Sequence, residues 1–170
     1  MTLTNILPSL RKTIPDPLNA DLWPEFTTAT TSDVVVAGVS MSRLAELCQT
    51  PCVHTAAAVV PGTHGRPSTL LEASAIAVTV TEIMADSKGR LAVRTDATLS
   101  EAHAVVSEAR LIGRISTAHS VRAELMIGST DACSIESVPT CELPADLRVG
   151  DVLAIPCRGC VALRTIRVRA

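Results

Sequence analysis

Aromatic side chains are nearly missing. Among 170 residues there is one Trp, Trp23, one Phe, Phe26, and no Tyr. A core built by this chain is therefore aliphatic, made of Val, Ile, Leu and Ala. A surface that binds single-stranded nucleic acid by stacking its bases is excluded for want of rings. Lysine is almost as scarce, with Lys12 and Lys88 alone. The net charge of −2 argues against a general polyanion partner. No apolar run reaches the roughly 18–20 residues that a membrane helix needs. The N-terminus, MTLTNILPSLRKTIP, has no sustained apolar stretch before its prolines. A cytoplasmic chain with reduced thiols is expected, so the six cysteines read as small apolar residues or candidate ligands, not as a disulfide framework.

What is present is a core-forming composition, 47% hydrophobic and 19% charged. Residues 1–32 carry Pro8, Pro15, Pro17 and Pro24 and a TTATTS run, and read as an extended arm pinned at Trp23-Pro24. Residues 33–170 read as a single β-barrel domain, with a strand–helix–strand unit at 33–55 packing on a barrel formed by 74–170. In the first unit a β-run at 33–37 stops at Gly38. Ser40 then caps a helix whose apolar face is Met41, Leu44, Ala45 and Cys48, and Pro51 ends it. From Ala75 the period becomes two, with Ile76, Val78 and Val80 facing one way and Thr79 and Thr81 the other. A turn at Asp86-Ser87-Lys88-Gly89 leads to Leu91, Val93 and Thr95, a hairpin. Thr98 with Glu101 makes a capping box and predicts a helix over 99–111.

Further on, Val121, Ala123, Leu125 and Ile127 alternate with Arg122, Glu124 and Met126, a half-buried strand. Apolar runs at 138–143 and 152–155 follow, separated by Pro, Gly and Asp. The last residues alternate Ile166 and Val168 with Arg167 and Arg169, predicting an edge strand guarded by charge. The expected fold is mainly β, an antiparallel Greek-key-like β-barrel with one or two short helices.

Two blocks carry a resemblance. Gly128, Leu143-Pro144, Gly150-Asp151-Val152-Leu153 and Gly159 keep the frame of the C-terminal β-domain of the fold-type III (group IV), pyridoxal-phosphate-dependent diaminopimelate and ornithine decarboxylases. That domain is related to the C-terminal domain of alanine racemase. Trp23-Pro24, Ala37-Gly38-Val39, Leu44-Ala45-Glu46 and Thr50-Pro51 resemble the segment that precedes the barrel in actinobacterial diaminopimelate decarboxylases.

The resemblance implies a β-domain that dimerises head to tail and completes a neighbour's active site. The family's functional letters are changed, however. Asp131 stands in place of its Cys, Ala132 of its Glu, Ile135 of its Asp and Val161 of its Tyr. Between Thr55 and Ala75 there is no room for an (α/β)8 barrel of about 250 residues. Neither lysine lies in the Lys-Ala-Asn context of the Schiff base, and residues 67–70 stand where the phosphate loop would be. Pyridoxal phosphate is therefore not expected.

In the family the loop after Gly128 points at a neighbour's cofactor, which marks Asp131 and Cys133 as candidate pocket or partner contacts, and Arg158, between Cys157 and Gly159, is a further candidate. Cys157 and Cys160 form a Cys-x-x-Cys and Cys48 and Cys52 a Cys-x3-Cys, a possible four-thiolate zinc set. A redox pair, or buried structural thiols, are the other readings. In a strand, 157 and 160 point to opposite faces unless Gly159 makes a bulge. His54, His64, His103 and His119 are scattered and show no triad or metal spacing. The expected function is a non-catalytic decarboxylase-like β-domain acting through dimerisation or binding, including to a full-length diaminopimelate decarboxylase. The alternative is a small Cys/Asp-based enzyme or zinc-binding module on the same barrel.

Overall fold

The computed structural model describes residues 3–85, 91–126 and 139–168. The chain starts with one helical turn, α1 (Leu3–Ile6), and two short 3-10 helices, Pro8–Lys12 and Ala20–Leu22. A small sheet follows, of β1 (Thr28–Ala29), β2 (Val34–Val36) and β3 (Val39–Ser40), which leads into helix α2 (Met41–Cys48). The main sheet comprises β4 (Cys52–Val59), β5 (Pro67–Ala85), β6 (Leu91–Thr95), β7 (Arg110–Ile112), β8 (Ser120–Leu125), β9 (Thr140–Pro144) and β10 (Val152–Cys157). One more helical turn, α3 (Leu163–Ile166), follows.

The strand order is β7-β10-β5-β6-β8-β9, with β4 paired to β5. The protein is mainly β, and its sheet is a nearly closed barrel. Every pairing is antiparallel except β6 with β8, which is parallel from Leu91↔Ala123 to Val93↔Leu125. That exception arises because the chain leaves β6, crosses the barrel end to form β7, and only then returns beside β6. No helix among the described residues is long and apolar enough to cross a membrane.

Strand β5 organises the rest. Ile76, Val78 and Val80 point into the barrel with Leu153, Ile155, Val93, Leu125 and Leu143. The intervening Ala75 and Ala77 point outward, with Ala154 of β10, against Trp23, Val36 and Met41. Two cores thus share one sheet, so β5 and β10 bury both faces. Large aliphatics fill the inside. On the outside alanines leave room for α2 and the indole. A register shift between Val80 and Glu82 re-aims β5 toward β6.

Local chemistry supports these elements. Ala37 and Gly38 both take positive φ, 46° and 83°, the two-residue turn that suits a right-twisted hairpin between β2 and β3. The Ser40 hydroxyl accepts the Arg43 N–H at 3.1 Å, capping α2 as its sequence predicts. Asp33 accepts the Val34 and Ser42 N–H groups at 2.8 and 3.0 Å and the Ser40 hydroxyl at 2.5 Å, tying hairpin to helix.

Three local expectations fail. The helix predicted over 99–111 is absent: there is a 3-10 turn at Val106–Glu108, then β7. Its backbone bonds across to β10 instead, with Val105 N donating to Pro156 O at 2.8 Å and Arg158 N to His103 O at 3.1 Å. His103 sits at φ 46° in an exposed turn rather than on a helix face. Burial of Leu99, Ala102, Val106 and Ala109 in the barrel end outweighs the capping box. The C-terminal edge strand is replaced by α3, because Ile166 is fully buried and its carbonyl accepts Thr98 N at 2.8 Å. Cys48, expected on the buried stripe of α2, is exposed, since Met41 and Ala45 alone of that stripe are buried.

Candidate functional site

The end strands β7 and β9 approach each other without pairing, which leaves a seam in the barrel. Over it lies a polar cleft of about 260 Å³, bounded by Arg11 and Asp16 of the arm, Asp33, Arg110, Arg114 and Glu142. This is slightly below the roughly 300 Å³ at which ligand pockets usually begin.

Arginines clamp the cleft from both directions. Arg11, 7% exposed, donates from Nη1 to Ala118 O and from Nη2 to Ser120 Oγ, each at 2.8 Å. Its Nε lies 2.8 Å from Asp16 Oδ2, a close ion pair whose N–H is not aimed at the oxygen. Asp16 Oδ1 is buried without a hydrogen-bond donor. In the reverse sense, Arg110 of β7 donates to the carbonyls of Asp16, at 3.0 Å, and of Pro17. Glu108 gathers the next stretch of the arm, accepting Trp23 Nε1–H at 3.1 Å and Asn19 N–H at 3.2 Å.

At the far end, Arg114 forms a bidentate pair with Asp151, Nε to Oδ1 at 2.8 Å and Nη2 to Oδ2 at 2.6 Å. Its Nη1 reaches Asp146 Oδ2 at 3.2 Å, and Ser116 donates to Asp146 Oδ1 at 2.5 Å. The Asp151 hydrogen bonds and charge hold the Arg114 guanidinium cationic well above its ordinary value. Burial pushes Asp146 up, but the Ser116 hydroxyl and the Arg114 charge outweigh it and hold the carboxyl below the usual carboxylate range. The Gly150-Asp151 pair of the sequence frame is thus a structural anchor for Arg114.

A second surface lies at the other end of β5. The β4–β5 hairpin and Cys160 form an open groove lined by Ala56, Ala57, Leu70 and Leu71 together with Glu25 and Glu72. Beside it, the loop 61–65 turns its amides inward, Gly62 N at 3.0 Å from Asp21 Oδ2 and His64 N at 2.7 Å from Asp21 Oδ1. Such a concavity of N–H groups favours an anion. The anion here is the arm's own carboxylate.

The sequence-predicted site residues fall in different places. Asp131 and Cys133 lie outside the described residues. Arg158 is exposed on the turn after β10, two residues before Cys160, which lines the groove. The four cysteines of the zinc set do not converge. Cys52 pairs with Ala77 and packs in the outer core, while Cys157 pairs with Ser74 and packs inside the barrel, on the opposite face. Gly159, at φ 87°, turns the chain so that Cys160 leaves the barrel and its Sγ lies 3.2 Å from Glu72 Oε2. Cys48 is exposed at the end of α2.

Burial pushes the Cys52 thiol up to about 11 and those of Cys141 and Cys157 up to about 12. They stay protonated at neutral pH, where a metal ligand or nucleophile must be a thiolate. The hydrogen bond to Glu72 raises Cys160 as well. No group of three His, Cys, Asp or Glu side chains suited to a metal occurs among the described residues.

Lys12, the one lysine among the described residues, is exposed and does not line the cleft, and the one amide concavity described above is filled by Asp21.

The arm clamps and the leucine pair escape sequence reasoning. Arg11, Arg110 and Arg114 carry no local pattern. Leu70-Leu71 does carry one: two adjacent apolar residues in a strand cannot both face inward.

No protein-family model matches the chain, and no curated protein matches it. Two solved structures of the Paramecium bursaria Chlorella virus arginine decarboxylase are similar to it. The one bound to agmatine is 21% identical over 51% of this chain and 25% of that chain, with a TM-score of 0.36. The other is 18% identical over 56% of this chain and 28% of that chain, with a TM-score of 0.37. The chain thus spans about a quarter of the length of those enzymes.

Proposed function

We propose that the chain is a non-catalytic, decarboxylase-like β-domain that works by association, either as a homodimer or by docking on a full-length diaminopimelate decarboxylase. The observation that carries this reading is the β4–β5 hairpin. In the family that the sequence resembles, a catalytic barrel is inserted after the first strand–helix–strand unit. Here β4 turns back on β5 through residues 60–66 and pairs with it from Cys52↔Ala77 to Val59↔Pro67. The place of the insertion is a short connection that leaves exposed leucines at its base.

The cleft supports the same reading. Its arginines are held by chain carbonyls, by Ser120 and by Asp16, Asp146 and Asp151, and its Asp33 by two N–H groups and Ser40, so these groups position the chain. Mixing purified chain with a full-length diaminopimelate decarboxylase, and measuring both mass and rate, tests the proposal. Either a homodimer of the chain or a complex that changes the enzyme's rate is expected. A chain that stays monomeric and leaves the enzyme's mass and rate unchanged at high micromolar concentration contradicts it.

A further inference from the structure

The groove at the β4–β5 hairpin carries an exposed leucine pair, and Phe26 follows its lining residue Glu25 in the chain. Leu70 is 90% exposed, Leu71 67% and Phe26 68%. These are not the side chains of a slack tip. The Ser68 hydroxyl accepts both the Leu70 and Leu71 N–H groups, at 3.2 and 3.0 Å, which fixes the leucine pair outward at a bulge in the hairpin. Phe26 sits at φ 49°, in the left-handed region that a bulky side chain rarely adopts. Its neighbours hold it there, with Glu25 N donating to Ala57 O at 2.8 Å and Thr27 Oγ1 to Pro24 O at 2.6 Å. Of the chain's two aromatic rings, one is buried and the other is held against solvent on strained backbone, a pattern that belongs to sites of contact.

Charge says what covers it. The groove is flanked by two carboxylates, Glu25 and Glu72, and no basic side chain lines it. Arg158 is exposed, lies two residues before the lining residue Cys160, and makes no ion pair among the described residues. The turn that carries Arg158 is fixed to β5 by Ser74 N donating to Gly159 O at 3.1 Å, two residues from Glu72. Carboxylates thus line the groove around an exposed leucine pair, and an unpaired arginine lies two residues away along the chain. A twofold axis turns that arrangement into its own complement, because each copy supplies both the acid and the base that the other needs.

We propose that this groove is the interface between two copies of the chain, packed about a twofold axis with Leu70, Leu71 and Phe26 at its centre and Arg158 of each copy facing Glu72 of the other. The inference rests on the reading of the chain as an association module, and it adds the surface and the occupant. The surface belongs to this chain in particular, since the hairpin stands where the resembled enzymes continue into their catalytic barrel.

Sedimentation of the full chain and three variants tests it. Wild type is expected to form a dimer at micromolar concentration. L70S/L71S is expected to be monomeric and, at concentrations low enough for wild type to be monomeric too, to keep the wild-type melting temperature, because both side chains are already exposed. E72R and R158E each place like charges in both contacts of a homodimer and are expected to weaken it at least about tenfold. Mixed in equal amounts, these two variants regain opposite charges in both contacts, so a dimer of near wild-type affinity is expected to reappear.

A dimer that survives L70S/L71S overturns the inference and leaves the association reading intact. So does a mixture of E72R and R158E that stays monomeric. A wild-type monomer whose binding to a decarboxylase is lost in L70S/L71S also overturns it, by assigning the groove to a different protein. A wild-type monomer that binds neither itself nor a decarboxylase overturns both readings.

Discussion

The seam cleft and the hairpin groove sit on the same barrel and differ in how far the chain satisfies itself. At the seam, three arginines meet carboxylates and carbonyls of the chain itself, and the arm that crosses it is anchored by Arg11, Arg110 and Glu108. At the groove, Leu70 and Leu71 lie exposed among Glu25, Glu72 and Cys160, with Phe26 and Arg158 exposed close by in the chain. A polar surface that has found its partners within the chain is architecture. An apolar one held in place without a partner is the surface that the proposed dimer would cover.

The widest gap between the two regions should appear in stability. Trp23, 1% exposed and bonded to Glu108, fills the outer core, so Trp23→Ala is expected to cost about 3–5 kcal/mol in denaturant unfolding. L70S/L71S should shift the same curve by less than about 0.5 kcal/mol. A comparable loss for both would erase the distinction.

Next comes the arginine anchor. Arg114→Ala leaves Asp151, a largely buried carboxylate, without its bidentate partner and should destabilise by about 1–3 kcal/mol. Arg158→Ala should leave stability unchanged and weaken self-association alone.

Thiol labelling sharpens the contrast without mutation. Among the described cysteines, Cys48 should react first, followed by Cys160, whose thiol Glu72 holds protonated to higher pH. Cys52, Cys141 and Cys157 should react only on unfolding, and rapid labelling of Cys157 in the folded chain would contradict its place inside the barrel. If the groove is an interface, dimerisation should slow Cys160 and leave Cys48 unaffected.

The smallest effect concerns pH. A carboxyl held below its unfolded value in the folded state contributes stability at pH above the unfolded value, and loses that contribution as pH falls through the lowered one. Asp146 is such a group. Melting temperature against pH should therefore fall less steeply on the acid side in Asp146→Asn than in wild type, by a small amount because the side chain is 37% exposed. An equally steep acid limb in both would remove Asp146 from the seam's electrostatics.

How much of this was legible in the sequence follows the physics of each element. Ile76, Val78 and Val80 announce β5 because period two is imposed by the pleat itself, and Ser40 announces α2 because a cap needs only its own neighbours. The alanines at 75, 77 and 154 do not announce a second core, since small residues look the same whether they face a helix or water. The segment 99–111 misled because its capping box is a local signal of small energy, while its bonds to Pro156 and Arg158 lie some fifty residues away. Gly150-Asp151 was legible as a frame but not as a clamp, because its partner, Arg114, is distant in sequence. Leu70-Leu71 was in plain view as a break in alternation, and its meaning needed the hairpin.

The most direct measurement of the central claim is the sedimentation mass of the full chain from low to high micromolar concentration, beside an equal mixture of E72R and R158E. Wild type should rise toward twice the single-chain mass, and the mixture should follow it while each variant alone lags. A mass fixed at one chain throughout, with no complex formed on adding a full-length decarboxylase, would contradict the account.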